Sequence, residues 1–404
     1  MKKHIVIFLS AMFVLTACSG SNKSAENAVE AQPVVQKPAE PVLSEAEQLL
    51  KSVQFTDEGI KKLFKSEEEM TPVEYEAYLL AYSKCQTEND HFKGDTCPPS
   101  KISYDVSKLK LDREEKNKVI FKLLDSKDEK IRLAAARDLS VYPTETEAQA
   151  KSFEFAKKEK NGYVLAALGS GYGSAVPQNA EMLEFVKNHA GDENDKVRES
   201  AAQLLSPSEV IGEHPELLET LMTLCTKDSS GPVSFYACQG VGRAHDDSVV
   251  PALTEILNDP EKADRHDNMA RALVEMWLNF PRYEHVSKDA YTSYMNYLKK
   301  KPRTDVVPSA ESLRINQLVD AGDDYKKWQK EAKYFKLKDM ISAYADIAKD
   351  DAASISARKV AIEMITEWGT AKDLKALSKP IQSGKAEGIE QLQEMLKESM
   401  ENKK

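Results

Sequence analysis

Residues 128–139 read DEKIRLAAARDL and residues 195–205 read DKVRESAAQLL, and these two stretches decide the fold. Each sets a β-branched residue, Ile131 or Val197, three positions after a side chain able to cap a helix, Asp128 or Asn194. Small residues follow, and a leucine arrives eight positions after the branched residue. A capping oxygen accepts bonds from the free N–H groups of a first helical turn, and apolar residues spaced by four fill one helical face. The same arrangement recurs along the chain. Ile131, Val164, Val197, Val233 and Asn268 are separated by 33, 33, 36 and 35 residues, and Asp128, Asn161, Asn194 and Ser230 precede the first four by three. Ala134, Ala167, Ala201, Ala237 and Ala272 come three or four positions after these anchors, and Leu139, Tyr172, Leu205, Val241 and Met276 come eight after. A second apolar segment precedes each anchor: Val119–Leu124, Phe153–Ala156, Met182–Val186, Leu217–Leu224 and Leu253–Leu257. The unit is therefore a helix pair, repeated with a period that excludes a single closed core.

The turn, the Ile131-Arg132 and Val197-Arg198 pairs and the alanines that follow resemble the HEAT-repeat family. Leu165, Ser234 and Met269 depart from its pattern at the arginine position, and the likeness runs from about Leu111 to Phe280. The tetratricopeptide family has a similar period, but its aromatic and glycine signature is missing. The resemblance implies an all-α fold, a right-handed α-solenoid of antiparallel helix pairs behind a disordered N-terminal tether. Ile341–Ala348 with Ser354–Trp368 reads as a sixth, degenerate unit, and Ala386–Lys404 as an amphipathic helix able to cap the end of the stack. Between the repeats and the sixth unit Tyr291, Tyr294 and Leu298 follow a buried-stripe spacing beside a break around Pro281–Pro308. The regions expected are 1–17, a signal segment; 18–44, a lipidated tether; 45–110, a helical cap with a disulfide; 111–280, the repeats; and 281–404, a C-terminal helical region.

Length and composition agree with such an array. The chain has 404 residues, 41% hydrophobic and 30% charged, with only 16 Gly and 17 Pro, so it is neither low-complexity nor a multi-span membrane protein. Its formal charge is −10, and loss of Lys2 and Lys3 with a signal segment makes this −12. A polyanion is repelled by phosphate backbones, so no nucleic-acid partner is expected.

The first residues carry a cationic start, Lys2 and Lys3, and an apolar stretch from Ile5 to Val14 that is too short for a stable membrane span. Leu15-Thr16-Ala17-Cys18, followed by Ser19-Gly20, resembles the lipobox of bacterial lipoproteins. That resemblance implies cleavage before Cys18, diacylation of its thiol and a cell-envelope location, with Ser19 favouring the outer membrane facing the periplasm over retention at the inner membrane. Ser19 to Ser44 is poor in large apolar residues and holds Pro33, Pro38 and Pro41, the composition of a tether. Four further cysteines pair by proximity, Cys85 with Cys97 and Cys225 with Cys238, each bracketing a turn. In an exported chain an even count points to disulfides; a zinc site would need thiolates from distant segments without Cys-x-x-Cys spacing.

The motifs that mimic catalytic constellations lack the groups their chemistry needs. Gly169-Ser170-Gly171-Tyr172-Gly173-Ser174 lacks the preceding strand and following Lys-Ser of a phosphate loop and reads as a helix exit, as does Gly240-Val241-Gly242. His245-Asp246-Asp247 and Arg265-His266-Asp267 lack a third metal ligand at helical spacing and read as solvated turns. No enzymatic activity, cofactor or metal is expected. Stacked pairs leave a long surface suited to gripping a polypeptide, so the function expected is an envelope-anchored scaffold or adaptor with a protein partner and no small-molecule substrate. A peptidoglycan- or glycan-binding protein and a non-catalytic subunit of an envelope enzyme complex are the alternatives. Arg132, Arg137, Arg198, Gln203, Gln239, Arg243 and Arg271 would line the partner surface as a positive groove. Alternatively, these arginines pair with acids of adjacent units and hold the stack together.

Overall fold

The computed structural model describes residues 43–63, 70–88, 91–102, 111–139, 141, 144–278, 286–299, 330, 332–384 and 388–403. Ser44–Lys404 forms one compact unit, distinct from Met1–Leu43. The signal segment, Cys18 and the tether lie outside the described residues, apart from Leu43 and Ser44.

The repeat region is five helix pairs: α5 (Arg113–Leu123) with α6 (Glu129–Arg137), α7 (Thr146–Ala156) with α8 (Gly162–Tyr172), α9 (Ala180–His189) with α10 (Asp195–Leu205), α12 (Leu218–Lys227) with α13 (Gly231–Arg243), and α14 (Val250–Asn258) with α15 (His266–Trp277). A short α11 (Ser208–Glu213) joins the third pair to the fourth. Each anchor is the third residue of its second helix, and Ile131, Val164, Val197 and Val233 are buried between the paired helices. Asp128, Asn161 and Asn194 cap α6, α8 and α10 through their side-chain oxygens. Ser230 does not follow them. Its side chain makes no cap bond, and its hydroxyl turns instead towards Asp195 of the preceding unit at 3.4 Å. Pro232 near the start of α13 removes one of the N–H groups a cap would satisfy.

The glycines read as helix exits stand at helix ends, with Gly173 the C-cap of α8 and Gly242 the last residue but one of α13. Gly169 and Gly171 belong to α8, and Gly240 and Gly242 to α13. A Cβ on Gly171 would come within 2.2 Å of Ser152 Oγ, and one on Gly242 within 2.4 Å of Glu275 Cβ in the next unit. Close approach of neighbouring side chains also requires glycine at Gly171 and Gly242.

An N-terminal cap precedes the array: α1 (Glu45–Ser52), α2 (Asp57–Leu63), α3 (Pro72–Leu80) and α4 (Pro98–Ile102). Between α3 and α4 the chain forms a two-stranded antiparallel hairpin, β1 (Thr87–Glu88) and β2 (His91–Phe92), the one pairing among the described residues and one that no period-two pattern announced. Cys85 is bonded to Cys97 across it, and Cys225 on α12 to Cys238 on α13. The cap closes the open end of the stack. Tyr75 donates to Asp138, which also pairs with Lys116 at 3.2 Å, and Lys122 meets Glu76 at 2.7 Å.

Beyond the array, α16 (Lys288–Leu298) carries Tyr291, Tyr294 and Leu298 into a buried aromatic core with Trp277 and Phe335. The sixth pair is present as α17 (Leu337–Lys349) and α18 (Ile355–Trp368), capped by Ser354. Arg358, fourth in α18 as Arg132 is in α6, is fully buried and donates to the Ala348 carbonyl and to Asp351. A seventh pair, α19 (Ala371–Ser383) and α20 (Ile389–Asn402), extends the stack. The α20 helix buries Ile389, Leu392 and Leu396 and turns Glu390, Glu394, Glu398 and Glu401 to solvent, the profile of an end cap.

Candidate interaction surface

Helical phase assigns each side chain of a second helix to one of four directions, at about 100° per residue. The anchors face the first helix. Residues one before and three after an anchor face the preceding unit: Lys196 lies over the Tyr163 ring at 5.5 Å, and Arg271 over Phe235 at 5.3 Å. Residues about one, five and nine after face the next unit, as Gly242 does towards Glu275. Positions two and six after an anchor point away from the first helix.

Arg132 and Arg198 stand one after their anchors, and both are spent on the stack. The Arg198 Nε and Nη2 bond Asp228 of the next unit at 2.7 and 3.0 Å, while Nη1 bonds the carbonyls of Asp192 and Glu193 at 2.8 and 3.0 Å. Arg132 repeats this with Glu159 at 2.7 and 3.1 Å and with the carbonyls of Ser126 and Lys127. Burial opposes ionisation of Glu159, but Arg132 and the N–H groups of Asn161 and Lys160 outweigh it and hold the carboxyl below its usual range. Asp228 is depressed in the same way, burial being overcome by Arg198 and the Ser230 N–H. Fork-to-carboxylate pairs of this kind are short and directional. Glu159 and Asp228 both stand five before an anchor, a position shared with Ser126 and Asp192. That periodicity was available in the sequence, but 66 acidic residues obscured it.

The other arginines are engaged as well. Arg243 lies 3.8 Å from Glu275 and bonds the Ser206 carbonyl, Arg271 bonds Asp267 at 2.6 Å, and Arg137 lies over the Phe92 ring at 5.5 Å. Each of these guanidiniums thus has an acid, a carbonyl or a ring of the described residues against it. Gln203 and Gln239, both six after an anchor, differ: Gln203 is exposed, Gln239 half-buried, and neither amide bonds another described residue.

Neither histidine motif assembles a centre. His266 is buried rather than solvated, its Nε2 2.9 Å from the Asp259 carbonyl and its ring against Tyr297. His245 holds a left-handed backbone, φ 50°, in the turn after α13. No group of three metal-ligating side chains occurs among the described residues. A cleft of about 690 Å³ opens between the starts of α5 and α7, lined by both signs of charge, including Arg113, Glu114, Glu147 and Lys151.

The HEAT repeats family matches residues 177–274. That span runs from just before α9 through most of α15, the part of the chain in which units three to five stack. Among solved structures, an engineered protein is 14% identical, covering 89% of this chain and 99% of its own, with a TM-score of 0.35. A mutant of Kap121p is 11% identical, covering 87% of this chain and 42% of its own, with a TM-score of 0.39. No curated protein matches the chain.

Proposed function

We propose that the chain is a lipid-anchored cell-envelope scaffold that binds another polypeptide along its helix-pair array. The observation that carries this reading is the stack itself: five successive helix pairs, two of whose steps are clamped by Arg132–Glu159 and Arg198–Asp228, with side chains such as Ser170 and Gln203 of the second helices reaching solvent. Such a stack suits a long partner, whereas a small substrate would need enclosure. The two buried disulfides support an oxidising compartment, and the Leu15-Thr16-Ala17-Cys18 sequence supports anchorage. Cys18 would carry the lipid, and the 26 residues after it would hold the array off an outer membrane on its periplasmic side.

Fatty-acid labelling with membrane fractionation tests the anchor: wild type should label and sediment with membranes, and Cys18→Ala should do neither. An unlabelled, soluble wild type overturns it. A pull-down from solubilised envelopes tests the scaffold, which fails if no polypeptide is retained.

A further inference from the structure

The last helix pair separates its charges. On α19 the exposed Lys372, Lys375 and Lys379 fall within about 60° of one another, opposite the buried Leu374, Leu377 and Ile381. The one acid of that helix, Asp373, is held in the capping box with Thr370. On α20 Glu390, Glu394, Glu398 and Glu401 are exposed within about 80°, opposite the buried Ile389, Leu392 and Leu396, with Lys397 at the edge of their stripe. An end cap needs a polar face for solubility, and interspersed charges of both signs supply one. Here the outward face of one helix is cationic and that of its neighbour is dominated by carboxylates.

The two stripes stand level without meeting. Gln393 donates to the Ile381 carbonyl at 3.4 Å and Ser378 to Met400 Sδ at 3.6 Å. These contacts place Glu394, Glu398 and Glu401 within about one turn of Lys379, Lys375 and Lys372 along the antiparallel helices. Because α19 packs on α17 and α20, and α20 on α18 and α19, each helix turns its stripe away from the other. Among the described residues no ion pair joins a lysine of one stripe to a glutamate of the other.

We propose that a second copy of this chain docks on this end, α19 of each copy lying antiparallel along α20 of the other. A twofold axis parallel to the helices swaps the positions of α19 and α20 while leaving heights along them unchanged. Lys372, Lys375 and Lys379 of one copy then come level with Glu401, Glu398 and Glu394 of the other, and the same set forms again on the far side of the axis. Charge complementarity of matched length on adjacent helices thus names the occupant: the acidic stripe that the lysines lack within one chain is the one the next copy presents. The contact goes beyond the scaffold reading and leaves the five clamped and stacked pairs of the array free.

Sedimentation velocity of the full-length protein in an uncharged detergent tests this. At about 50 mM NaCl wild type should dimerise reversibly, and at about 500 mM its dissociation constant should rise at least about tenfold, since exposed pairs are screened. A variant carrying Lys372→Glu, Lys375→Glu and Lys379→Glu, and a second carrying Glu394→Lys, Glu398→Lys and Glu401→Lys, should each be monomeric at wild-type Tm. An equimolar mixture of the two should dimerise again, because each supplies the charge that the other has lost. Wild type that stays monomeric at about 50 mM NaCl, association that salt or either reversal leaves unchanged, or a mixture that fails to re-form the dimer overturns the proposal. So does a monomeric wild type retained on anionic vesicles that the lysine-reversed variant does not bind, which assigns the stripe to lipid headgroups. Envelope partners captured equally by wild type and by a monomeric variant keep the scaffold reading apart from this one.

Discussion

Arg198 on α10 holds the Asp228 carboxylate in the turn of the next unit with two parallel bonds while its remaining nitrogen bonds two carbonyls of its own turn. One side chain thus fixes both the turn it springs from and the neighbour it stacks on. Arg132 and Glu159 form the same clamp one pair of units earlier, whereas Leu165 leaves the step between them, and Ser234 the step after them, without it.

Removing such a clamp should cost stability rather than a partner. In Arg198→Met the carboxylate of Asp228 stays in place, mostly buried, without its guanidinium, and the loss expected is about 1–3 kcal/mol given the partial exposure of the pair. Denaturant titration checks this, and a shift no larger than that of Gln203→Ala, a solvent-facing side chain on the same helix, would contradict it.

The same pairs set the acid limit. Glu159 and Asp228 are held below their usual values, so their contribution is present above about pH 4, where the unfolded carboxyls ionise, and is lost as pH falls through the lower native values. Thermal melting between about pH 6 and about pH 3 should therefore show a fall that is shallower in an Arg132→Met, Arg198→Met double variant. Equal slopes in the two proteins would exclude these pairs as its source.

What the sequence disclosed and withheld follows from which residues meet a periodic constraint. Anchors such as Val164 and Val197, and caps such as Asn161 and Asn194, meet the same environment in each unit and so recur visibly. Ser230 misleads because composition identifies a side chain able to cap, not one that does. Gly171 and Gly242 read only as helix ends because the approach of Ser152 and Glu275 that requires glycine is a tertiary fact. The arginines were visible, but their partners lie 27 and 30 residues away, in acids indistinguishable by type from dozens of others. Gln203 was reached by helical phase alone and Phe235 was not reached at all, since solvent imposes no spacing.

Those tertiary approaches make their own prediction. Gly171→Ala places a methyl against Ser152 Oγ and the Leu139 side chain, both in a close-packed interior, and overpacking of this kind costs about 1–3 kcal/mol. Gly191→Ala, at the end of α9 with nothing near the added carbon, should stay within about 0.5 kcal/mol of wild type. Comparable losses in both would mean that the glycines serve the backbone and not the packing.

The Cys225–Cys238 bond ties the two helices of the fourth unit at their buried faces, where both sulfurs are inaccessible to solvent. Ser234 Oγ donates to the Cys225 carbonyl at 2.7 Å, and Asn268 of the fifth unit donates to Ser234 at 3.0 Å, so the bond sits at the base of a polar chain linking two units. Closing a loop of this size restricts the unfolded chain by about 3 kcal/mol in the chain-entropy model. Cys225→Ala with Cys238→Ala should lower stability by about that amount, and by more than Cys85→Ala with Cys97→Ala lowers the stability of units three to five, because the hairpin bond lies in the cap at the far end of a stack whose units touch only their neighbours. Hydrogen exchange resolved by helix separates the two effects. The first pair of substitutions should raise exchange in α12, α13 and α15, and the second in the cap and α6. Uniform acceleration along the whole chain in either variant would show that the array unfolds as one cooperative block, and the nearest-neighbour account of its stability would fall.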